Sequence, residues 1–258
     1  MIKGALGAAG LAGFAVLLEV LPRLGLLPRQ HFPPFSAMCT ALAQQAARRS
    51  FWTAVAGTLE IWFLGLAIAV VAGIALGIVI GSVPVLRAAT ASTIEFLRPI
   101  PSVALLPLAV VLFSAPLRSI LLLVVYASFW QVLIQVLHGV ADVDPVARET
   151  ADSYRLNRWQ RSRHLVWPTA LPYALTGIRL ATAVALVLTV TGELFIGGTD
   201  GLGEQLSLAR NSGDDGVAVM YALVIVAGLL GVAANLITRR AERAVLAWHP
   251  SVRREVAL

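Results

Sequence analysis

A chain of 258 residues with 58% hydrophobic side chains, 13% charged ones and a mean hydropathy of +0.82 is too apolar for an ordinary soluble domain and belongs in a bilayer. Its net charge of +6 would suit nucleic acid, but the basic residues lie in the polar stretches between apolar runs, as they do in membrane proteins, and no nucleic-acid partner is expected. The single cysteine, Cys39, excludes an intrachain disulfide and a cysteine metal cluster, and none of the four histidines has metal-ligand spacing, so no metal site is expected.

Crossing about 30 Å of hydrocarbon takes roughly 20 apolar residues, and six runs qualify: residues 4–20, 57–80, 93–113, 120–139, 174–196 and 217–237. The first, in an N-terminal segment 1–23, is too long for a signal-peptide core and has Glu19 and Pro22 where a small-residue cleavage site would stand, so it reads as a retained helix. Residues 24–52, with Pro28, Pro33 and Pro34 ahead of FSAMCTALAQQAARR, are too polar to span and read as an extracytoplasmic loop with an amphipathic helix at the interface. A core domain of five helices follows over residues 53–240. In its first helix Gly65, Ala69, Gly73, Gly77 and Gly81 recur every four residues, a small-residue stripe that lets another helix approach closely. Packing within the chain is the expected use; a seam with a second copy is the alternative.

The next span, EFLRPIPSVALLPLAVVLF, holds Pro99, Pro101 and Pro107, so a straight helix is not expected; broken backbone at that depth needs protein or a watery cavity around it. Between Glu149 and Pro172 the chain reads ETADSYRLNRWQRSRHLVWPTALP, an arginine-rich stretch between two apolar runs. Asp144-Pro145 suits the start of a short helix, with proline at the first helical position. The last segment, 241–258, reads as a basic tail held at the inner headgroups by Trp248. An even number of spans puts both termini on one side. Lys3, Arg87, Arg148, Arg155, Arg158, Arg161, Arg163, Arg239, Arg240, Arg243, Arg253 and Arg254 then share that side, against Arg23, Arg29, Arg48, Arg49, Arg118 and Arg210 on the other, which makes it the cytoplasmic one.

The arginine-rich stretch resembles the coupling loop of permease subunits in binding-protein-dependent ABC importers: Glu149-Thr150-Ala151 fills the Glu-Ala-Ala position and Pro168 the closing proline, with Leu171-Pro172 extending the ending. Arg155 stands where the motif has glycine. The run Phe96-Leu97-Arg98-Pro99-Ile100-Pro101 with Ala104-Leu105-Leu106-Pro107, and Gly192-Glu193 followed by Gly201-Leu202-Gly203, are similar to the sulfonate, nitrate and taurine branch. The likeness covers about residues 30–250. It implies an all-α membrane protein of about six transmembrane helices with the type I importer permease fold, lodged in the inner membrane with both termini cytoplasmic. It also implies two ATP-binding cassette ATPase subunits, a second permease copy or related permease, an extracytoplasmic solute-binding protein and surrounding lipid. The coupling loop is then residues 142–167, with Val146, Ala147, Glu149, Thr150, Ala151, Tyr154, Arg155 and Asn157 as the ATPase-coupling set, Glu149 accepting hydrogen bonds at the loop base and Ala151 allowing close seating. A left-handed turn at Arg155 is unfavourable for a non-glycine residue; Asn157 could take the turn instead, or the bend could need no positive φ. Arg158, Arg161 and Arg163 suit headgroup and partner contacts.

Ionisable groups in spans are costly enough to be functional candidates. Glu60, Glu95, Arg98, Arg179 and Glu193, with Trp130, form the candidate translocation path. Glu95 and Arg98, three apart, could pair with each other, Arg179 could snorkel, and Glu193 suits a gate or solute contact. Trp62, Tyr126 and Gln131 could add to the lining. The only lysine, Lys3, has no P-loop before it, so the chain itself is expected to bind no cofactor and catalyse nothing; ATP and Mg belong on the partner. The expected cargo is a small solute such as a sulfonate, nitrate or taurine. A heterocyclic vitamin precursor, an ion-coupled carrier and a membrane enzyme remain the alternatives.

Overall fold

The structure is a computed structural model that describes residues 2–28 and 30–247; Arg29 and the tail from Trp248 on, with Arg253 and Arg254, lie outside the described residues. The α-helices are α1 (Ile2–Arg23), α2 (Phe35–Ala46), α3 (Arg49–Ser82), α4 (Pro84–Leu97), α5 (Leu106–Leu112), α6 (Pro116–Ala141), α7 (Pro145–Ser153), α8 (Arg158–Arg161), α9 (Trp167–Ile196), α10 (Leu202–Asn211) and α11 (Asp214–Val245). Prolines punctuate them: Pro84, Pro116 and Pro145 each open a helix, where the missing N–H has no partner to lose.

Four segments among the described residues are long and apolar enough to cross a membrane, namely Arg49–Ser82, Pro116–Ala141, Arg158–Ile196 and Gly216–Val245. Helix α1, with 22 residues, is about 33 Å long at 1.5 Å per residue. The third run, where the prolines argued against a straight helix, is two helical pieces, Pro84–Leu97 and Ser102–Leu112, bent by 83°. Pro99 and Pro101 lie in the break, each without the N–H a continuing helix would use.

The chain divides into two compact units: Met1–Leu59 with Glu193–Leu230, and Glu60–Gly192 with Gly231–Leu258. In the second, the glycine stripe packs on α6 of the same chain. A Cβ on Gly65 would lie 2.6 Å from Val124, on Gly73 2.8 Å from Val132, on Gly77 2.7 Å from Val136 and on Gly81 2.9 Å from Val140. Contact numbers rise together in the two helices, so α3 and α6 run parallel. The bent pair between them must therefore return the chain across the full depth of the unit, which makes it a broken span rather than a re-entrant loop. Tyr126 of α6 braces the break by donating to the Leu97 carbonyl at 2.6 Å. Helix α9 runs antiparallel to α6: Gly139 faces Ala170 and Tyr173, Gly177 faces Gln131 and Gln135, and Gly192 faces Ile120. The end of α3, the start of α4, the end of α6 and the start of α9 thus share one end of this unit. In the first unit, Phe51, Ala54 and Val55 of α3 close with Leu202, Ala209, Leu223 and Val226 into a small apolar core.

Candidate functional site

Helix α7 is shaped at both ends by its own residues. At its start Asp144 accepts the Val146 N–H at 2.7 Å, with Pro145 next in line. At its end the Leu156 N–H reaches the Ala151 carbonyl at 3.0 Å and the Arg155 N–H reaches that of Asp152 at 2.9 Å, while Arg155 adopts φ +52°. These are the two bonds of a Schellman motif with arginine in the left-handed position. The turn has therefore stayed where the motif's glycine stands. Asn157, at φ −71°, does something else: it caps α8 by accepting the Gln160 N–H at 2.8 Å, while its own N–H donates to the Gln160 side chain.

The loop is clasped to itself. The Arg161 guanidinium lies 2.5 Å from the Asp152 carboxylate and donates through Nε to the Leu156 carbonyl at 2.8 Å. Arg148 donates to the Val140 carbonyl at the end of α6, and Tyr173 of α9 donates to Asp142. Arg161 is thus spent inside the chain, a correction to its reading as a headgroup or partner contact. Val146, Glu149, Thr150, Tyr154 and Arg155 are exposed and Ala147 is half-buried. Ala151 is buried, 5% exposed. The Glu149 carboxylate has no partner among the described residues; the hydrogen bond at this position goes to its backbone carbonyl, from Ser153.

After α8 the chain makes one π-helical turn, Ser162–Val166, before α9. Pro168 cannot donate to the carbonyl four residues back, and its ring crowds that carbonyl; a widened turn immediately upstream relieves both.

The translocation-path candidates do not gather at one place. Glu95 and Arg98 line a cavity of about 670 Å3 together with Arg87 and His138, and Glu60, Trp130 and Arg179 are absent from that lining. Glu95 and Arg98 are both exposed and form no ion pair with each other, contrary to the spacing expectation; Glu95 lies in α4, which buries none of its residues, and Arg98 follows as its C-cap. Trp130 is buried, edge-on to Tyr126 and Phe129. Arg179 meets Glu242 of α11 at 3.4 Å. Trp62 donates to the Thr182 carbonyl at 3.0 Å, a packing contact. Glu60 is exposed on α3 with no partner among the described residues.

Glu193 is fully buried, and a gate or solute contact is not what its surroundings provide. One carboxylate oxygen, Oε2, accepts from the Thr58 hydroxyl at 2.8 Å and from the Gly203 N–H at 3.0 Å. Thr58 in turn accepts the Leu202 N–H at 2.9 Å. The first free N–H groups of α10 are thus capped by a carboxyl group and a hydroxyl from two other helices. A Cβ on Gly201 would fall 2.2 Å from the other oxygen, Oε1, which is why glycine stands there. Glu204 holds the approach to α10, accepting the N–H groups of Thr199 at 2.9 Å and Asp200 at 2.8 Å, the latter at φ +53°. Burial pushes the Glu204 carboxyl up, but the N–H donors of Thr199, Asp200 and Gly198 outweigh it and hold it below the usual carboxylate range.

Thr58, Asp152 and Glu242 escaped the sequence reading. Asp152 and Arg161, opposite charges on either side of an expected turn, carried a usable signal. Thr58 and Glu242 carried none, since their partners lie 135 and 63 residues away.

Residues 69–247 match the family described as binding-protein-dependent transport system inner membrane component. The chain is 33% identical over 248 residues to the taurine transport system permease protein of Escherichia coli K12, covering 92% of this chain and 88% of that one. It is 28% identical over 185 residues to the nitrate import permease protein of Leptolyngbya laminosa, covering 72% of this chain and 65% of the relative. In fold it is similar to the crystal structure of an amino acid ABC transporter with histidines, with a TM-score of 0.60 at 19% identity over 80% of this chain and 94% of that one.

Proposed function

Since this chain belongs to the family of binding-protein-dependent transport system inner membrane components, we propose that it is the membrane-crossing subunit of an ATP-driven importer for a small solute such as taurine, another sulfonate or nitrate. Two ATP-binding cassette subunits bind ATP and Mg and press on α7; a second permease, a copy of this chain or a related subunit, completes the translocation path; an extracytoplasmic binding protein delivers the solute. Both termini and the α7 loop face the cytoplasm, which is supported by the arginines at the shared end of α3, α6 and α9. The printed names of the taurine and nitrate relatives support the solute class.

The observation that carries this reading is α7 itself. It is a short helix, capped at both ends, clasped underneath by Arg161 and Asp152, and it exposes Val146, Glu149, Thr150 and Tyr154. A polar loop this well braced transmits force instead of absorbing it, and closure of the ATPases would move the spans it connects as rigid bodies. Glu60 supports an aqueous path nearby in the sequence: an exposed carboxylate on a span costs roughly 2.5 to 3.5 kcal/mol against lipid, so it faces water or the second copy.

The test is reconstitution in liposomes with the ATPase and binding protein. Anion-loaded binding protein should stimulate ATP hydrolysis, and Glu149→Arg should abolish uptake and weaken ATPase association while leaving the subunit in the membrane. Unchanged transport by that variant, or uptake persisting with the ATPase inactivated, refutes the reading.

A further inference from the structure

A second cavity, of about 970 Å3, lies where the ends of α3 and α6 meet the start of α4 and the loop after α7. Its wall is apolar, formed by Ile78, Val79, Val83, Leu165 and Val166. Its rim is basic: Arg87, Arg148, Arg158 and Arg161 stand against one carboxylate, Asp152. That carboxylate is already taken by Arg161, and Arg148 is engaged by the Val140 carbonyl. The guanidiniums of Arg87 and Arg158 have no partner among the described residues. Gly81 and Val140, the last pair of the α3 and α6 contact, also line the cavity, so it sits where the spans give way to polar loop.

We propose that this cavity is a binding site for an anionic phospholipid, with an acyl chain along the apolar wall and the headgroup phosphate between Arg87 and Arg158. Basic pockets between helix ends at the membrane surface suit such headgroups. A soluble anion would pair the arginines and leave the wall wet; a neutral lipid would fill the wall and leave two guanidiniums facing no net charge. Only a lipid that carries net negative charge satisfies both halves. Ala151 and Leu156, the partners of the Schellman closure, line the same cavity, so the bound lipid braces the underside of α7.

The purified full-length chain in neutral phosphatidylcholine nanodiscs is titrated with phosphatidylglycerol, and binding is read by native mass spectrometry and by thermal stability. Phosphatidylglycerol should bind and stabilise. Arg87→Gln with Arg158→Gln should weaken that binding about tenfold to thirtyfold, from the usual contribution of two near-surface basic groups, and the Arg87→Lys, Arg158→Lys pair should recover most of it. In the unsubstituted chain a photoactivatable phosphatidylglycerol should label residues 78–83 or 165–166. Equal binding by the glutamine pair, labelling elsewhere, or equal stabilisation by added phosphatidylcholine overturns the proposal; equal stabilisation by inorganic phosphate overturns it in favour of a free-anion site.

Discussion

Replacing Thr58 by Val keeps the shape of the side chain and removes one oxygen that serves two partners. The Leu202 N–H, in a residue 1% exposed, loses its acceptor, and an unpaired buried donor costs about 1 to 3 kcal/mol. The Glu193 carboxyl loses one of its two hydrogen bonds, which contributes about 0.5 to 1.5 kcal/mol. The added methyl returns about 1 kcal/mol of apolar burial, so the net loss is about 1 to 3 kcal/mol. At roughly 2 to 4 °C per kcal/mol for a chain of this size, the midpoint in nanodiscs should fall by about 3 to 10 °C. Thr58→Ser, which keeps the hydroxyl and gives up a methyl, should cost about 1 kcal/mol. The assay is thermal unfolding followed by near-UV circular dichroism on both variants beside the parent. A Thr58→Val midpoint within about 2 °C of the parent, or one above that of Thr58→Ser, would show that the carboxylate and hydroxyl do not cap α10.

Gly77→Ala should destabilise, because its Cβ would lie 2.7 Å from Val136, and Val136→Ala in the same chain should recover part of the loss; a double-mutant cycle in thermal stability should give a coupling of about 1 kcal/mol or more. Arg155→Gly should raise stability by about 1 kcal/mol by removing a side chain from a left-handed position, with uptake in reconstituted vesicles retained; a fall in uptake would mark Arg155 as an ATPase contact. Glu204 has a folded-state pKa depressed below its unfolded value of about 4.3, so the stability it lends is present above that value and is lost as pH falls through the folded pKa. Glu204→Gln should flatten this part of the acid limb in a melting series from about pH 6 to 3; an unchanged slope would disprove the assignment.

Local patterns in the sequence announced local structure. Asp144-Pro145 marked the start of α7 because an aspartate cap and a first-turn proline act within four residues of each other. The four-residue glycine spacing marked one face of α3, and the valines opposite follow the same period. Paired prolines at 99 and 101 marked a break but not its angle, since the 83° bend depends on what braces it, the Tyr126 hydroxyl from another helix. Side-chain chemistry was harder to read. Glu193 was visible as a costly intramembrane acid, but its role depends on Thr58, far away in the chain, and spacing alone cannot announce such a partner. Glu95 and Arg98 had the right spacing for a pair, yet both are exposed at the end of a helix with no buried residue, where a surface ion pair gains little. Arg155 was legible as an exception; only the backbone tells that the exception is tolerated rather than avoided.

The π turn at Ser162–Val166 carries one more residue than an α-helical turn would hold over the same rise. Each residue of an α-helix advances its successors by about 100° around the axis. Removing a single residue from that turn would let α8 and α9 fuse into one regular rod and swing the whole α7 knuckle about a quarter revolution relative to the span behind it. The aim of α7 relative to the span behind it is therefore fixed by a phase offset of one residue, and insertions or deletions in this short stretch should be far less forgiving than substitutions at the same positions.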